Sequence, residues 1–230
     1  MTPAFAVVIP VLDEEARIGR RLAELSSQPG VVEIVVVDGG SRDRTRDVAR
    51  AVPGVHVIEA SRGRGPQQNA GARATGAEVI LFLHADVELP PDAGRWIATA
   101  LADERVVAGA FRVRTVADAG RNWLGPLLRV ADLRSRVTRY PYGDQAVFVR
   151  RSAFERVGGF PDQPLFEDVE LARRLRRIGE IRTVPASVCV SGRRFLRRPV
   201  RTVLAMNLFP TLYRLGMSPE KLARLYGAPH

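Results

Sequence analysis

The 230-residue sequence has one cysteine, Cys189, and one lysine, Lys221. A single cysteine excludes an internal disulfide framework and a cysteine-cluster metal site, and it is typical of proteins in a reducing cytoplasm. No stretch reaches the roughly 18 uninterrupted apolar residues of a spanning helix. The first apolar run, Phe5 to Val11, has no basic leader before it and no small-residue cleavage site after it. The sequence therefore predicts a cytoplasmic protein, neither secreted nor integral to a membrane.

Because lysine is so rare, 34 of the 35 basic residues are arginine, and the formal net charge is +10. Ten arginines and two glutamates lie between Glu170 and Arg201, so this window alone carries +8 of that charge. A nucleic-acid-binding protein would have a broader basic face or a recognisable reading module, and neither is present. The local charge predicts an anion site or a contact with an acidic membrane surface, and no nucleic-acid partner.

Apolar runs rich in valine and isoleucine alternate with segments of helical period. The predicted strands are 5–11, 31–37, 55–59, 79–83 and 146–149, and the predicted helices are 14–25, 45–51, 67–74, 93–101 and 169–178. Continuous apolar strands are typical of a parallel sheet covered on both faces. The pattern predicts an α/β sandwich with a mainly parallel central sheet and helices on both faces. Residues 1–198 form one domain, and 199–230 form a helical tail.

Polar clusters follow three of the predicted strands. They comprise residues 13–15 after the first strand, 38–43 after the second, and 84–86 after the fourth. Ligands of open α/β sheets bind beyond the carboxyl ends of the strands, so these clusters predict one binding site at that edge. A structural alternative stays open for each cluster, since Asp13 and Asp43 also suit helix N-caps and Gly39-Gly40 suits a tight turn.

The set of motifs resembles the glycosyltransferases of family 2, which have the GT-A fold. Two elements carry the resemblance most specifically: Val-Ile-Pro-Val-Leu-Asp-Glu-Glu at 8–15 and Val-Val-Asp-Gly-Gly-Ser-Arg-Asp-Arg-Thr at 36–45. Further matching segments are 63–71, Leu-His-Ala-Asp at 83–86, Gly-Asp-Gln-Ala at 143–146, Gly-Gly-Phe at 158–160 and Phe-Glu-Asp at 166–168. The likeness implies an inverting transferase that moves a hexose from a UDP- or GDP-linked sugar to an acceptor hydroxyl.

The resemblance also implies roles for individual residues in donor binding. Pro10, Glu14 and Asp38 would contact the nucleoside, and Asp86 would bind the Mg²⁺ or Mn²⁺ ion that bridges the two phosphates. His84 stands where the family usually has the first aspartate of an Asp-x-Asp motif, and it would ligate the ion, contact phosphate or pack beneath the site. Further positions on these motifs are predicted to line the donor site, namely Arg64, Asn69, Ala85, Gln145 and Glu167.

Asp168 matches the family's catalytic base, which would take the proton of the acceptor hydroxyl as it attacks the anomeric carbon. A helix cap is the structural alternative, because a carboxylate at a helix N-terminus is favoured by the helix dipole. Arg193 and Arg194 lie where many relatives have a histidine that touches metal or diphosphate, and their guanidinium groups would neutralise the departing diphosphate. The segment 115–140, which contains Trp123, would form a lid or acceptor wall.

The tail is too apolar to be wholly solvated, so we expect it to be buried on its own domain, on a dimer partner, or on an anionic bilayer at the inner face of the membrane. The acceptor is a small molecule or a lipid-linked compound, and contact of the tail with a bilayer would suit the lipid-linked one. Residues 212–220 also resemble a small bacterial subgroup of family 2 associated with arsenosugar-type biosynthesis. Two other functions remain open. A nucleotidyltransferase acting on a sugar phosphate would release pyrophosphate and have no need of Asp168, and a catalytically inactive protein would bind a sugar nucleotide without turnover.

Overall fold

The computed structural model describes residues 4–116, 132, 140–191, 208–213 and 215–226. The strands in this part of the chain are β1 (Phe5–Val11), β2 (Val31–Asp38), β3 (Val55–Glu59), β4 (Val79–Phe82), β5 (Val87–Glu88), β6 (Val106–Val116), β7 (Phe148–Arg150) and β8 (Glu180–Ser191). They form one sheet in the spatial order β3-β2-β1-β4-β7-β6-β8-β5. Strands β3, β2, β1 and β4 are mutually parallel, as are β6 and β8, whereas β7 and β5 run antiparallel to their neighbours.

Helices cover both faces of this sheet, as the sequence predicts. They are α1 (Glu15–Ser26), α2 (Thr45–Arg50), α3 (Arg64–Ala74), α4 (Ala93–Leu101), α5 (Arg151–Arg156), α6 (Glu167–Leu175) and α7 (Pro219–Tyr226). Alternate residues of β1 enter two separate apolar clusters, since Val7 and Ile9 pack with α1 and α4, while Val8 packs with α3, α5 and α6. The alternation follows from the two-residue period of a strand, and burial on both faces explains why β1 is apolar throughout.

Helix α3 packs closely on the sheet at Gly71. A Cβ atom added to Gly71 would lie 2.9 Å from Val37 Cγ2 and still closer to Val8 Cγ1, so only glycine permits this approach. The helix begins at Arg64, three residues before the predicted start at position 67. Pro66 is tolerated there because the first turn of a helix needs no backbone N–H donor from that residue.

Three strands differ from the sequence prediction. Strands β5 and β6 lie where the sequence pattern predicts no strand, and β8 is 12 residues long although only its residues 187–190 have a strand-like pattern. Strands β6 and β8 pair in parallel along most of their length, with register shifts between Val106 and Ala108 and between Ala110 and Arg112. The proposed lid at 115–140 falls almost entirely outside the described residues, and so does Trp123.

The described part of the tail packs on the domain itself. Residues 208–213 are helical, and with α7 they form an apolar cluster around Phe166, Val169 and Leu222 at the N-terminus of α6. This arrangement corresponds to the first of the three predicted ways to bury the tail. Among the described helices, none is long and apolar enough to cross a bilayer.

Candidate functional site

The loops that follow β1 and β2 bind each other at the carboxyl edge of the sheet. The backbone N–H of Asp13 donates to Ser41 Oγ at 3.0 Å, and the N–H of Glu14 donates to Thr45 Oγ1 at 2.8 Å. In return, Asp13 Oδ1 accepts a hydrogen bond from the N–H of Arg42 at 2.8 Å. Asp13 therefore joins the two loops and does not cap α1. The strand register, which sets Val11 opposite Asp38, brings the two loops side by side.

Asp43 serves both helices that start at this edge. Its carboxylate accepts hydrogen bonds from the N–H of Thr45, the first residue of α2, at 2.9 Å and from the N–H of Glu15, the first residue of α1, at 3.1 Å. Desolvation acts to raise the pKa of Asp43, but the hydrogen bonds from Thr45 and Glu15 outweigh it, so the pKa lies below its usual value. The carboxylate stays ionised, and its charge is favoured by both helix N-termini.

Asp38 is completely buried and faces its own loop. Its Oδ2 accepts hydrogen bonds from the N–H groups of Gly40 and Ser41, both at 2.9 Å, and its Oδ1 accepts one from the Ser41 hydroxyl. Arg46 Nε lies 3.9 Å from Oδ2. These bonds fix the glycine turn after β2. The predicted contact of Asp38 with a nucleoside stays a prediction, and in this structure the carboxylate holds the loop that would line that site.

Gln67 is a positioning residue that the sequence analysis missed. Its buried amide Nε2 donates to the carbonyl of Val11 at 2.9 Å and to the carbonyl of Val37 at 2.7 Å. The side chain therefore joins the C-terminal ends of β1 and β2. A Cβ atom on Gly39 would lie 2.9 Å from the Gln67 amide carbon, which explains a glycine at that position. The sequence gives no distinct signal for this role, because the adjacent Gln68 is the same residue type.

His84, Gly143 and Asp168 come together although they are far apart in the sequence. A Cβ atom on Gly143 would lie 2.8 Å from His84 Nε2 and 3.5 Å from Asp168 Oδ2, so glycine alone fits between the imidazole and the carboxylate. The N–H of Gly143 donates to Asp168 Oδ2 at 2.6 Å, and the N–H of Val169 donates to Oδ1 at 2.7 Å. Asp168 does not cap α6 as predicted, because the helix begins one residue earlier, at Glu167, with Phe166 at its N-cap position. The two bonds hold the carboxylate in the first turn of the helix, beside Gly143.

Asp168 also borders a small cavity of about 10 Å³, close to the size of one water molecule. Gly143, Gln68 and apolar residues of α6 form its other walls. The buried Gln68 Oε1 has no hydrogen-bond partner among the described residues. The carboxylate of Asp168 is therefore only partly open to solvent and lies against apolar side chains.

Glu167 is buried beside Asp168 and forms an ion pair with Arg64. Its side chain is 3% exposed, and Oε1 lies 2.9 Å from Arg64 Nε. Burial raises the pKa of Glu167 to about 7, an effect that Arg64 opposes and the neighbouring charge of Asp168 reinforces. The pair joins the start of α3 to the start of α6, so two residues predicted to line the donor site are in contact.

His84 and Asp86, the two residues predicted to hold a divalent ion, lie half-buried in the turn after β4. Within the described residues, no group of three or more His, Cys, Asp or Glu side chains is placed to hold an ion alone. The donor set fits an ion that also takes oxygens from a substrate diphosphate, as Mg²⁺ and Mn²⁺ commonly do. One imidazole beside one carboxylate suits Mn²⁺ better than Mg²⁺, which prefers oxygen ligands.

The remaining predicted donor-site residues are buried or half-buried. Asn69 bonds the backbone of Phe160 twice, donating to its carbonyl at 2.8 Å and accepting from its N–H at 2.9 Å. Gln145 is buried and donates to the Phe111 carbonyl at 3.0 Å. Pro10 lies near the end of β1, and Ala85 is buried between the two predicted metal ligands. Each of these positions supports the shape of the site, and their contacts with substrate stay predictions.

The arginine-rich window divides into two parts. Arg173 and Arg174 form ion pairs with Glu170, at 3.8 and 3.3 Å. These arginines lie on the solvated face of α6. Arg193 and Arg194 lie outside the described residues, so their predicted contact with diphosphate stays a prediction.

The family model described as "Glycosyl transferase family 2" matches residues 6–159. An undecaprenyl-phosphate 4-deoxy-4-formamido-L-arabinose transferase of Pseudomonas paraeruginosa is 30% identical over 193 residues, which cover 79% of this chain and 57% of the relative. The chain therefore spans a little over half the length of this curated relative.

Solved structures of low sequence identity share the fold. The mannosyltransferase PcManGT of Pyrobaculum calidifontis, in complex with GDP-Man and Mn²⁺, aligns with a TM-score of 0.68 at 22% identity, covering 99% of this chain and 69% of that one. A glucosyl-3-phosphoglycerate synthase of Mycobacterium tuberculosis, in complex with Mn²⁺, UDP and its product, aligns with a TM-score of 0.59 at 21% identity, covering 89% and 80%. The expected GT-A architecture is confirmed.

Proposed function

Because this chain belongs to glycosyltransferase family 2, we propose that it transfers a hexose from a nucleotide-diphosphate sugar to an acceptor hydroxyl by direct displacement. The acceptor oxygen attacks the anomeric carbon from the face opposite the nucleotide, so the configuration inverts. The observation that carries the proposal is the placement of Asp168, held by Gly143 N at 2.6 Å and adjacent to His84 at the carboxyl edge of the sheet.

Asp168 acts as the general base. Its two hydrogen bonds fix the direction of the carboxylate, and the adjacent apolar cavity reduces its hydration, so a free lone pair can take the proton of the acceptor hydroxyl. Glu167 cannot replace it, because its carboxyl is 3% exposed and bound to Arg64.

The donor lies along the loops after β1, β2 and β4. Pro10 and Glu14 contact the nucleoside on the first loop, and Asp38 holds the second loop in shape. Asp86 and His84 would hold Mn²⁺ or Mg²⁺ together with oxygens of the substrate diphosphate, and the ion would supply charge neutralisation for the leaving group. Arg64, which forms an ion pair with Glu167, adds positive charge near the same edge.

A panel of UDP- and GDP-linked hexoses tests this proposal. We expect one donor to raise the melting temperature in the presence of Mn²⁺ and to lose most of that effect with a chelator, since ligand binding stabilises the native state by mass action. Turnover should release a nucleoside diphosphate, and NMR of the product should show the anomeric configuration opposite to that of the donor. Release of pyrophosphate would identify a nucleotidyltransferase instead, and donor binding with no turnover on any acceptor would identify an inactive binding protein.

A lipid-linked acceptor at an anionic membrane surface fits the exterior of the tail. Leu208, Leu215 and Leu225 are 44%, 79% and 59% exposed, and the last lies beside the exposed cation Arg224 on α7. Apolar side chains flanked by cations are typical of segments that bind anionic bilayers. The relative from Pseudomonas acts on undecaprenyl phosphate, as its name states, which supports a membrane-bound acceptor for this chain.

Vesicle sedimentation tests this contact. We expect the protein to bind vesicles of phosphatidylglycerol and phosphatidylcholine, and the double variant Leu215→Ser/Leu225→Ser to bind at least about tenfold more weakly, because each inserted leucine contributes roughly 1.5–3 kcal/mol. Val32→Ser is the matched control, since Val32 is 61% exposed but is the second residue of β2, outside the tail. Equal binding of the double variant and the control would contradict a tail contact.

A further inference from the structure

Phe166 has a backbone conformation that is rare for its residue type. Its φ of 63° and ψ of 22° lie in the left-handed region, directly before Glu167 and Asp168 at the start of α6. A bulky side chain stays in this region only where its surroundings hold it there. The direction in which α6 leaves this turn sets where Asp168 lies, so whatever holds Phe166 also positions the carboxylate.

The C-terminal tail supplies that support. The ring of Phe166 stacks on the ring of Tyr213, with centroids 4.9 Å apart and an interplanar angle of 22°. Leu222 of α7, completely buried, packs in the same cluster as Phe166 and Val169. The tail contacts therefore bracket Glu167 and Asp168 on both sides along the chain.

The same cluster reaches the other partner of the Asp168 hydrogen bond. Tyr140 and Tyr142, which lead into Gly143, pack against the cluster that contains Phe166 and Leu222. The N–H of Gly143 donates to Asp168 Oδ2 at 2.6 Å. The tail thus contacts both partners' segments: the one that leads into Gly143, which donates this hydrogen bond, and the start of α6, which carries the accepting Asp168.

We propose that Tyr213 is a positioning residue for the reaction, which holds Phe166 in its left-handed conformation and so keeps Asp168 aligned with Gly143 and His84. The inference rests on the proposed role of Asp168 as general base. It gives the tail a function in the chemical step beyond burying apolar surface. Tyr213 touches no reacting atom, and its effect passes through Phe166 and the start of α6.

The variant Tyr213→Ala tests this inference in solution without vesicles, where nucleoside diphosphate release from the UDP- and GDP-linked sugar panel is measured with water in place of the acceptor hydroxyl. Attack by water yields the free sugar and the nucleoside diphosphate, and the proton of the water passes to Asp168. We expect kcat to fall about 10- to 100-fold, since a displacement of about 1 Å at a catalytic group has an effect of that order. The donor KM should change less than twofold, because the loops proposed to hold the donor follow β1, β2 and β4 and do not include the start of α6. Tyr213→Phe, which keeps the ring, should retain full kcat.

Glu220→Ala is the matched control on the same tail, because Glu220 is exposed on α7 and makes no part of the cluster. Melting curves establish that each variant is folded at the assay temperature, and Tyr213→Leu replaces Tyr213→Ala if the latter is not. A kcat for the ring-less variant equal to that of Glu220→Ala would overturn the proposal. So would a parallel loss of donor affinity and kcat, which is the signature of general destabilisation.

Failure of this proposal is distinguishable from failure of the proposed function. If Asp168→Asn is inactive and Tyr213→Ala is fully active, Asp168 is the base and the tail does not position it. If Asp168→Asn is fully active, the assigned base is wrong, and the positioning role falls with it.

Discussion

We expect Asp168→Asn to lower kcat by roughly 10²–10⁴-fold, the usual contribution of a general base. An amide cannot take the proton of the acceptor hydroxyl, yet the Asn side-chain oxygen can still accept the hydrogen bond from Gly143. Donor affinity should stay within about twofold, because the nucleotide loops do not include Asp168. Nucleoside diphosphate release measures kcat, and titration with the donor in the presence of Mn²⁺ measures binding.

Asp162→Asn is the matched control, since Asp162 is an exposed aspartate in the loop that leads to α6.

The size of the loss in Asp168→Asn also distinguishes two kinds of acceptor. A hydroxyl must lose a proton when it attacks, whereas a phosphate monoester is already an anion at neutral pH. A kcat that falls less than tenfold in Asp168→Asn would contradict the hydroxyl acceptor and indicate a phosphate, as in the relative that acts on undecaprenyl phosphate.

The buried carboxyl of Glu167 should make the protein less stable as the pH rises. Its pKa is raised from 4.5 to about 7, chiefly by burial. Below pH 4.5 the carboxyl is protonated in both the folded and the unfolded chain. Between pH 4.5 and 7 only the unfolded chain ionises, so the free energy of unfolding falls; above pH 7 the loss is complete. The loss from this group is about 3 kcal/mol, at about 1.4 kcal/mol per pKa unit.

Glu167→Gln removes this titration while keeping the size of the side chain. We expect the variant to gain up to about 3 kcal/mol relative to the wild type between pH 5 and pH 8, a shift of about 6–12 °C in melting temperature for a domain of this size. Arg64, 40% exposed, remains hydrated without its partner. Denaturant unfolding at both pH values measures the difference.

Glu155→Gln is the control for this comparison, because Glu155 is 64% exposed and pairs with Arg151 at 3.5 Å on α5. Its stability should follow the wild-type pH dependence. Parallel curves for Glu167→Gln and the wild type would show that Glu167 ionises in the folded protein as readily as in the unfolded one.

The parallel half of the fold was predictable because its signals are local. Strand β1 is apolar on both faces, and the helical period of Ile18, Leu22 and Leu25 gives the buried side of α1. Strand β6 was not predicted, because Arg112 and Arg114 interrupt its apolar pattern. In the structure, pairing with β8 stabilises this stretch. Such pairing between strands that are distant in the chain is not visible in any short window of the sequence.

The sequence predicted which residues lie near the candidate site, but it did not predict which of them contact each other. The motifs place Asp38 and Asp86 at one edge because parallel strands end together there, whereas the role of Asp168 was predicted from the family resemblance alone. The sequence does not show that Asp38 bonds to its own loop or that Gln67 joins two strand ends. Both contacts depend on the directions of the side chains, which are set by packing.

The sequence by itself determined the family, the parallel half of the sheet and the residues that gather at its carboxyl edge, because period, glycine turns and acidic motifs act over short distances along the chain. The scarcity of cysteine and lysine and the clustering of arginine were equally plain from composition. Only the tertiary structure decided that Gly143 separates His84 from Asp168, that Arg64 pairs with Glu167, and that the tail stacks on Phe166. Each of these contacts joins residues far apart in the chain, and their free energy depends on the burial and geometry that folding alone creates.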